Sequence, residues 1–269
     1  METPKIVLLG AGNLATHVGL ALYKAGVEVK QVFSRDLSNA TLLASQMAAS
    51  ATNDLSLLQT DADIYLFALK DSVLSEVVDK VASLPFGKGT LGQSTALFLH
   101  TAGSVPLALF EGKALHGGVF YPMQTFSKAR AVDFRMIPIF IEATTPEDTE
   151  VIEALASRIS TQVTQLSSEQ RKYLHLGAVL SCNFVNHLFT LCSEVLAKQG
   201  IPFETMWPLI QETILKVHQL SPQEAQTGPA VRYDRSIIDS QLVLLEGDQR
   251  LQEIYRLLSE SIYAHSNSH

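Results

Sequence analysis

Two glycines one residue apart, Gly10 and Gly12, separate a short apolar run over Lys5–Leu9 from a helical pattern over residues 14–25 that stops at Gly26. A strand that must turn at once into a helix needs a residue free to adopt unusual backbone angles, and Gly10 supplies it. The same rhythm then repeats. Glu28–Phe33 reads as a strand, residues 37–47 as a helix, Ser50–Thr52 as a short strand and residues 64–68 as an unbroken apolar strand. A helix over 73–82, a loop over 85–92 and a strand over 96–99 follow. Strands apolar on both sides, alternating with helices, imply a mostly parallel, doubly wound sheet covered on both faces.

The turn spells Gly10-Ala11-Gly12-Asn13-Leu14-Ala15, the G-x-G-x-x-A form of a dinucleotide-binding loop in an N-terminal Rossmann domain. Gly12 lets the backbone approach a diphosphate, Ala15 lets the helix lie close on the sheet, and the free N–H groups of the helix attract phosphate. The end of the second strand selects the cofactor. An acidic residue there would hydrogen-bond a ribose 2′-hydroxyl. Here Ser34 takes that position, and Arg35 offers a planar cation suited to a 2′-phosphate. NADP(H) is therefore expected. The competing reading has Arg35 solvated and Asp36 on the ribose, giving NAD(H).

Farther on, residues 137–142 read as a strand, assigned to a sheet edge because of Pro138. Residues 146–160 read as a helix and 161–166 as a last strand. After Ser167 the pattern becomes purely helical, with segments over 169–199, 203–220, 236–245 and 249–263. The expected division is a cofactor-binding Rossmann domain over 1–166 and an all-α substrate and dimerisation domain over 167–269.

The chain carries 27 acidic against 20 basic residues, a net charge of -7, with no basic run, so nucleic acid is not an expected partner. Cys182 and Cys192 lie ten residues apart in one helical segment. That is about 15 Å along the axis, too far for a disulfide. With Met-Glu-Thr-Pro-Lys leading directly into a strand, no signal peptide is expected and a cytoplasmic location is. No run of about 18 apolar residues escapes polar interruption, so no membrane span is expected. Scattered histidines suggest no metal, and Gly87-Lys88-Gly89-Thr90 lacks the leading glycine of a P-loop.

The loop followed by Ser-Arg resembles that of the 6-phosphogluconate dehydrogenase-like superfamily, in particular pyrroline-5-carboxylate reductases and deazaflavin-dependent NADP reductases. Residues 62–70, Ala-Asp-Ile-Tyr-Leu-Phe-Ala-Leu-Lys, resemble their fourth strand and following loop. That likeness implies that Ala68, Leu69 and Lys70 pass beside the nicotinamide. Over nearly its whole length the chain is similar to an uncharacterised bacterial family that joins a Rossmann-like domain to a helical domain of unknown function. The carriers are His-Gly-Gly-Val-Phe-Tyr-Pro-Met-Gln-Thr-Phe over 116–126, and Thr227-Gly228-Pro229 with Arg232 and Asp234. This resemblance implies a fold and a cofactor class, and no particular reaction.

Candidate chemistry falls in four places. His100, with Ser104 beyond it, ends the fifth strand, where ligands of doubly wound sheets gather. His116, Tyr121 and Gln124 form a second group, able to donate a proton to a reduced carbonyl or imine and to orient it. Their neighbours Phe120, Met123 and Phe126 equally suit plain packing. Third, His175, Val179, Asn183 and Asn186 fall on one helical stripe. In β-hydroxyacid dehydrogenases the corresponding helix bears Lys-x-x-x-Asn. Asn183 matches the Asn, but Val179 occupies the place of the lysine. Fourth, Arg232 could bind a carboxylate or simply pair with Asp234.

The favoured expectation is an NADP(H)-dependent oxidoreductase acting on a small substrate held between the domains. One alternative is a non-catalytic dinucleotide-binding sensor. Another is an enzyme resembling prephenate dehydrogenase, suggested by His116 and Tyr121-Pro122-Met123. By analogy with related enzymes, a homodimer through the helical domain is expected.

Overall fold

The computed structural model describes residues 3–84 and 96–267. The loop expected over 85–92, with Gly87–Thr90, lies outside them. The chain forms two compact units, Met1–Cys182 and Asn183–His269.

The first unit is built on eight strands: β1 (Lys5–Leu9), β2 (Glu28–Phe33), β3 (Ser50–Thr52), β4 (Ile64–Phe67), β5 (Leu97–His100), β6 (His116–Pro122), β7 (Ile139–Ala143) and β8 (Val163–Gln165). Their order is β3-β2-β1-β4-β5-β6-β7-β8. Neighbours run parallel except β6 and β7, which are antiparallel. The chain moves outward from β1 to β3 and then returns to the other side of β1. The glycine turn after β1 therefore stands where the strand order reverses, the place where open α/β sheets bind ligands.

Four helices cover this sheet: α1 (Asn13–Lys24), α2 (Leu37–Ser45), α3 (Asp71–Ala82) and α4 (Pro146–Ser157). Alternate residues of β1 face opposite sides. Ile6 and Leu8 join one core with Val18, Leu22, Leu43 and Leu155. Val7 and Leu9 join a second with Phe67, Leu74, Val78 and Phe98. Each such side chain removed from water contributes about 1.5–3 kcal/mol.

Strand β6 is absent from the elements read from the sequence. Its Gly117-Gly118 pair reads as a strand breaker, yet both glycines serve close packing. A Cβ on Gly118 would lie 2.3 Å from Ile152 Cδ1 of α4, and one on Gly117 would lie 2.9 Å from the Phe110 ring. The edge position assigned to β7 also fails. Pro138 falls just before that strand, β7 is flanked by β6 and β8, and the edge is β8.

Past β8, Ser167 opens α5 (Ser168–Ala178) with a reciprocal cap involving Gln170. A π-helical turn over Val179–Asn183 and then α6 (Phe184–Ala197) follow it directly in the chain. Packing divides at Cys182/Asn183, whereas composition changes near residue 166. The difference has a physical source, because Arg171 and His175 of α5 are tied into the first unit. The π turn inserts an extra residue into the helical register, so the regular stripe drawn from His175 through Asn183 to Asn186 is broken.

The second unit continues through α7 (Trp207–Gln219), α8 (Pro222–Ala225), α9 (Arg235–Leu244) and α10 (Gln249–Ser266). Residues 229–232 pack on α10, and α9 also contacts it. The rings of Tyr233 and Tyr263 meet at a tilt with centroids 4.9 Å apart. The continuous helix Ser168–Ala197, with mean hydropathy 1.3 in its most apolar window, is long and apolar enough to cross a membrane. That likeness is one of length and composition only, and polar residues such as Asn183, Asn186 and His187 interrupt the run, as expected from the sequence.

Candidate functional site

Gly10 sits at φ +128, in the region that favours glycine, and its N–H donates to Phe33 O at 2.8 Å. A Cβ there would stand 2.2 Å from Ala68 O. The turn after β1 is thus clamped between the ends of β2 and β4, with Ser34-Arg35 on one side and Ala68-Leu69 on the other. Gly12 behaves differently, since a Cβ would meet nothing within 4 Å. It caps α1 with no side chain hydrogen-bonded to the helix end. The first-turn N–H groups lack intrahelical partners. Ala15 is fully buried against the sheet. The residues therefore fit a dinucleotide, with an uncapped helix end, a bare backbone to approach and room beside it.

Asn13 helps hold the loop, since its Nδ2 donates to Phe126 O at 3.0 Å. Phe126 stacks on His17, so it serves packing and not chemistry. Arg35 is exposed, and no ion pair holds it among the described residues. Asp36 is committed elsewhere. Its Oδ1 accepts from Ser38 N at 2.9 Å and Ser38 Oγ at 2.6 Å, and its Oδ2 accepts from Asn39 Nδ2 at 2.8 Å. These bonds, that from the Ser38 hydroxyl foremost, hold its carboxyl below the usual range. Asp36 is the cap of α2. Lys70 is exposed just before α3, and Leu69 packs against the glycine turn.

On the same carboxyl edge of the sheet, Tyr121 near the end of β6 meets His175 of α5. The Tyr121 Oη to His175 Nδ1 distance is 3.1 Å. The pair closes on Gly103, where a Cβ would fall 2.6 Å from His175 Nδ1 and 2.9 Å from Tyr121 Cζ. No side chain larger than hydrogen fits between the β5 loop and this pair. Burial pushes the Tyr121 phenol above its ordinary value, and the nearby Asp71 carboxylate adds to the rise. Asp71, the first residue of α3, accepts a hydrogen bond from Ser104 Oγ. Asp71, Gly103, Ser104, Tyr121 and His175 thus converge from four elements.

A buried ion pair underlies this cluster, and sequence reasoning missed it. Arg171, only 1% exposed, donates from Nη1 to Glu142 Oε2 at 2.6 Å and from Nη2 to Val105 O at 2.6 Å. Glu142 also accepts from Ser168 N at 2.8 Å and Ser168 Oγ at 2.7 Å. The network fastens α5, β7 and the loop after β5 together and so fixes His175 against Gly103. The available signal was a lone acid inside an apolar strand and an arginine in the first turn of a helix. Nothing in sequence spacing pairs residues 29 apart.

Two expected residues are not in the site. His100 is wholly buried, its ring tilted against Phe110, and its Nδ1 accepts from Ala102 N at 3.2 Å. Burial, reinforced by the Arg171 charge, pushes its imidazole down to about 3. It is neutral near pH 7 and has no access to a substrate, because its ring turns into the core instead of over the strand end. His116 belongs to the amino end of β6, where its Nδ1 lies 2.9 Å from Asp148 Oδ1. Five strand steps, about 16 Å, separate it from Tyr121. One strand therefore splits the His116–Tyr121 group and removes the prephenate dehydrogenase likeness. Gln124 is exposed beyond β6, and its Oε1 accepts from Thr125 N at 2.8 Å. Asn183 ends the π turn and is exposed.

Residues 5–91 match the family described as NADP oxidoreductase, coenzyme F420-dependent, and residues 137–262 match a domain of unknown function, DUF2520. A crystal structure from Bacteroides fragilis, described as a "putative NADP oxidoreductase", is 47% identical over 97% of this chain and 98% of that one, with a TM-score of 0.90. An imine reductase from Myxococcus stipitatus in complex with NADP+ is 16% identical over 98% and 93%, with a TM-score of 0.64. A pyrroline-5-carboxylate reductase from Coxiella burnetii is 18% identical over 98% of each chain, with a TM-score of 0.58. The last two establish likeness of fold alone. No curated protein matches the chain.

Proposed function

The chain belongs to the family of that Bacteroides fragilis oxidoreductase, and from this premise we propose that it is an NADPH-dependent reductase of a carbonyl or imine carbon in a small molecule. The observation that carries the reading is the Tyr121–His175 pair, 3.1 Å apart, on the same edge of the sheet as the uncapped glycine turn. Gly10 to Ala15 would hold the diphosphate, Ser34 and Arg35 the 2′-phosphate ribose, and Ala68 to Lys70 the nicotinamide side. NADPH held there would supply the hydride for the substrate carbon. As the C=O or C=N π pair moves onto the heteroatom, the Tyr121 hydroxyl gives up its proton to it. His175, with hydrogen on Nδ1, then passes that proton to the phenolate oxygen as its Nε2 takes one from water, which restores the hydroxyl and keeps the imidazole neutral. His175 is itself half-buried, so solvent can return the proton.

Preference for NADPH over NADH rests on the commitment of Asp36 to its cap, which leaves Arg35 as the group able to read a 2′-phosphate. The test is NADPH oxidation followed against a panel of small carbonyl and imine compounds. Arg35→Ala should raise KM for NADPH about tenfold, the loss of roughly one charged contact of about 1.4 kcal/mol, while leaving that for NADH nearly unchanged. Equal losses with the two cofactors would remove the role given to Arg35. Absence of turnover across the panel despite tight NADPH binding would leave only dinucleotide binding.

The helical unit leaves Leu209, Leu215, Leu244 and Leu257 exposed. An apolar surface of this kind needs a cover in water, and a second copy of the chain is proposed to supply it. Light scattering at micromolar concentration should give twice the mass of one chain, and a monomer would end the proposal.

A further inference from the structure

A cavity of about 660 Å3 is walled by α1, α2, residues 128–135 and Arg158-Ile159, and neither Tyr121 nor His175 lines it. Its apolar floor includes Leu20, Leu43 and Phe134. Its rim carries Lys24, Lys128, Arg135 and Arg158. In a chain with 27 acidic and 20 basic residues, such a gathering of cations is unexpected. The carboxylate that joins them is Asp133, whose Oδ1 accepts from Arg135 N at 3.0 Å as a local cap. None of the four cations forms an ion pair among the described residues. Like charges around one opening repel, and an anion seated among them relieves that cost. The volume lies within the range of small-molecule sites, and the apolar floor matches a ligand with a hydrophobic body.

We propose that this cavity is a second ligand site, distinct from the dinucleotide loop, for a small amphipathic anion: a carboxylate or phosphate on an aromatic or aliphatic body. The wall over residues 128–135 continues from Phe126 and Ser127. Those two residues are fastened to α1 by Asn13 Nδ2 donating to Phe126 O at 3.0 Å and by His17 Nε2 lying 2.9 Å from Ser127 O. The cavity wall and the cofactor turn therefore share one helix.

The probe is 1-naphthyl phosphate, titrated by calorimetry into the full chain with and without saturating NADPH. Saturable binding is expected, at least tenfold tighter than that of inorganic phosphate or neutral 1-naphthol, and it should persist when NADPH is present. The Lys128→Glu/Arg135→Glu variant should weaken it at least tenfold, with NADPH affinity and thermal midpoint unchanged. Both side chains are exposed, so the fold should tolerate the exchange. Arg158→Ser provides an independent variant with a smaller loss in the same direction. Displacement of the probe by NADPH would make the cavity an arm of the cofactor cleft and overturn the proposal. Unchanged binding in both variants, or none in the wild type, would overturn it as well. Neither result bears on turnover at Tyr121, so this site and the reductase reading fail separately.

Discussion

Tyr121→Phe should lower kcat for NADPH oxidation by about 10²–10⁴-fold, the usual worth of a positioned proton donor, while leaving NADPH affinity intact. The phenyl ring preserves the packing against Gly103 and Phe140, so the variant removes the hydroxyl and little else. The pH profile makes the test specific. Burial first and the Asp71 carboxylate second raise the phenol above its ordinary value of 10.0. A donor with a raised value keeps its proton through neutrality and loses it only in strong base. The reductive rate should therefore hold across neutral pH and fall as pH rises through that elevated value. Asp71→Asn keeps an acceptor for Ser104 Oγ but removes the negative charge. Its expected effect is to move the basic limb toward lower pH, with kcat on the plateau changed far less than in Tyr121→Phe. A limb that stays put in Asp71→Asn, or a Tyr121→Phe enzyme with normal kcat, would take proton donation away from Tyr121.

The sequence carries much of the cofactor half of this site and little of the substrate half. Gly10, Gly12 and Ala15 are legible because each answers a local steric demand of a strand–turn–helix, and local demands leave local patterns. The strands on either side of that turn were read nearly to the residue for the same reason. Strand β6 was not, because its glycines answer a demand made by α4 and Phe110, which are distant in sequence. That one omission misplaced two residues together. Without the strand, His116 and Tyr121 look like neighbours in a loop, and with it they occupy opposite ends. His100 illustrates a different blindness. Sequence shows that it ends a strand, but the direction of its ring is decided by the partners available to it, here Phe110 and Ala102 N. The pairing of Tyr121 with His175 was likewise invisible, although both were singled out, since it depends on how α5 returns to the sheet.

That return is governed by Arg171, and Arg171→Met should be strongly destabilising. Methionine fills much of the volume but leaves the Glu142 carboxylate and the Val105 carbonyl without their donor. Removing one partner of a buried pair costs about 3–5 kcal/mol, because the other charge stays behind. Glu142 is 20% exposed at its side chain, so the lower end of that range is the sounder expectation. For a chain of this size, about 3 kcal/mol corresponds to a fall of roughly 6–12 °C in Tm. Arg171→Met combined with Glu142→Gln should recover part of the loss, since the uncompensated charge disappears with it. The ion pair also acts at a distance from its own atoms, through the Val105 carbonyl that pins the loop carrying Gly103. Loosening that loop should reduce kcat at temperatures where the variant is still folded, while NADPH affinity, which depends on the far side of the switch point, remains. If the single variant melts with the wild type, the guanidinium does not set the angle of α5, and the meeting of Tyr121 with His175 must be secured by apolar contacts alone.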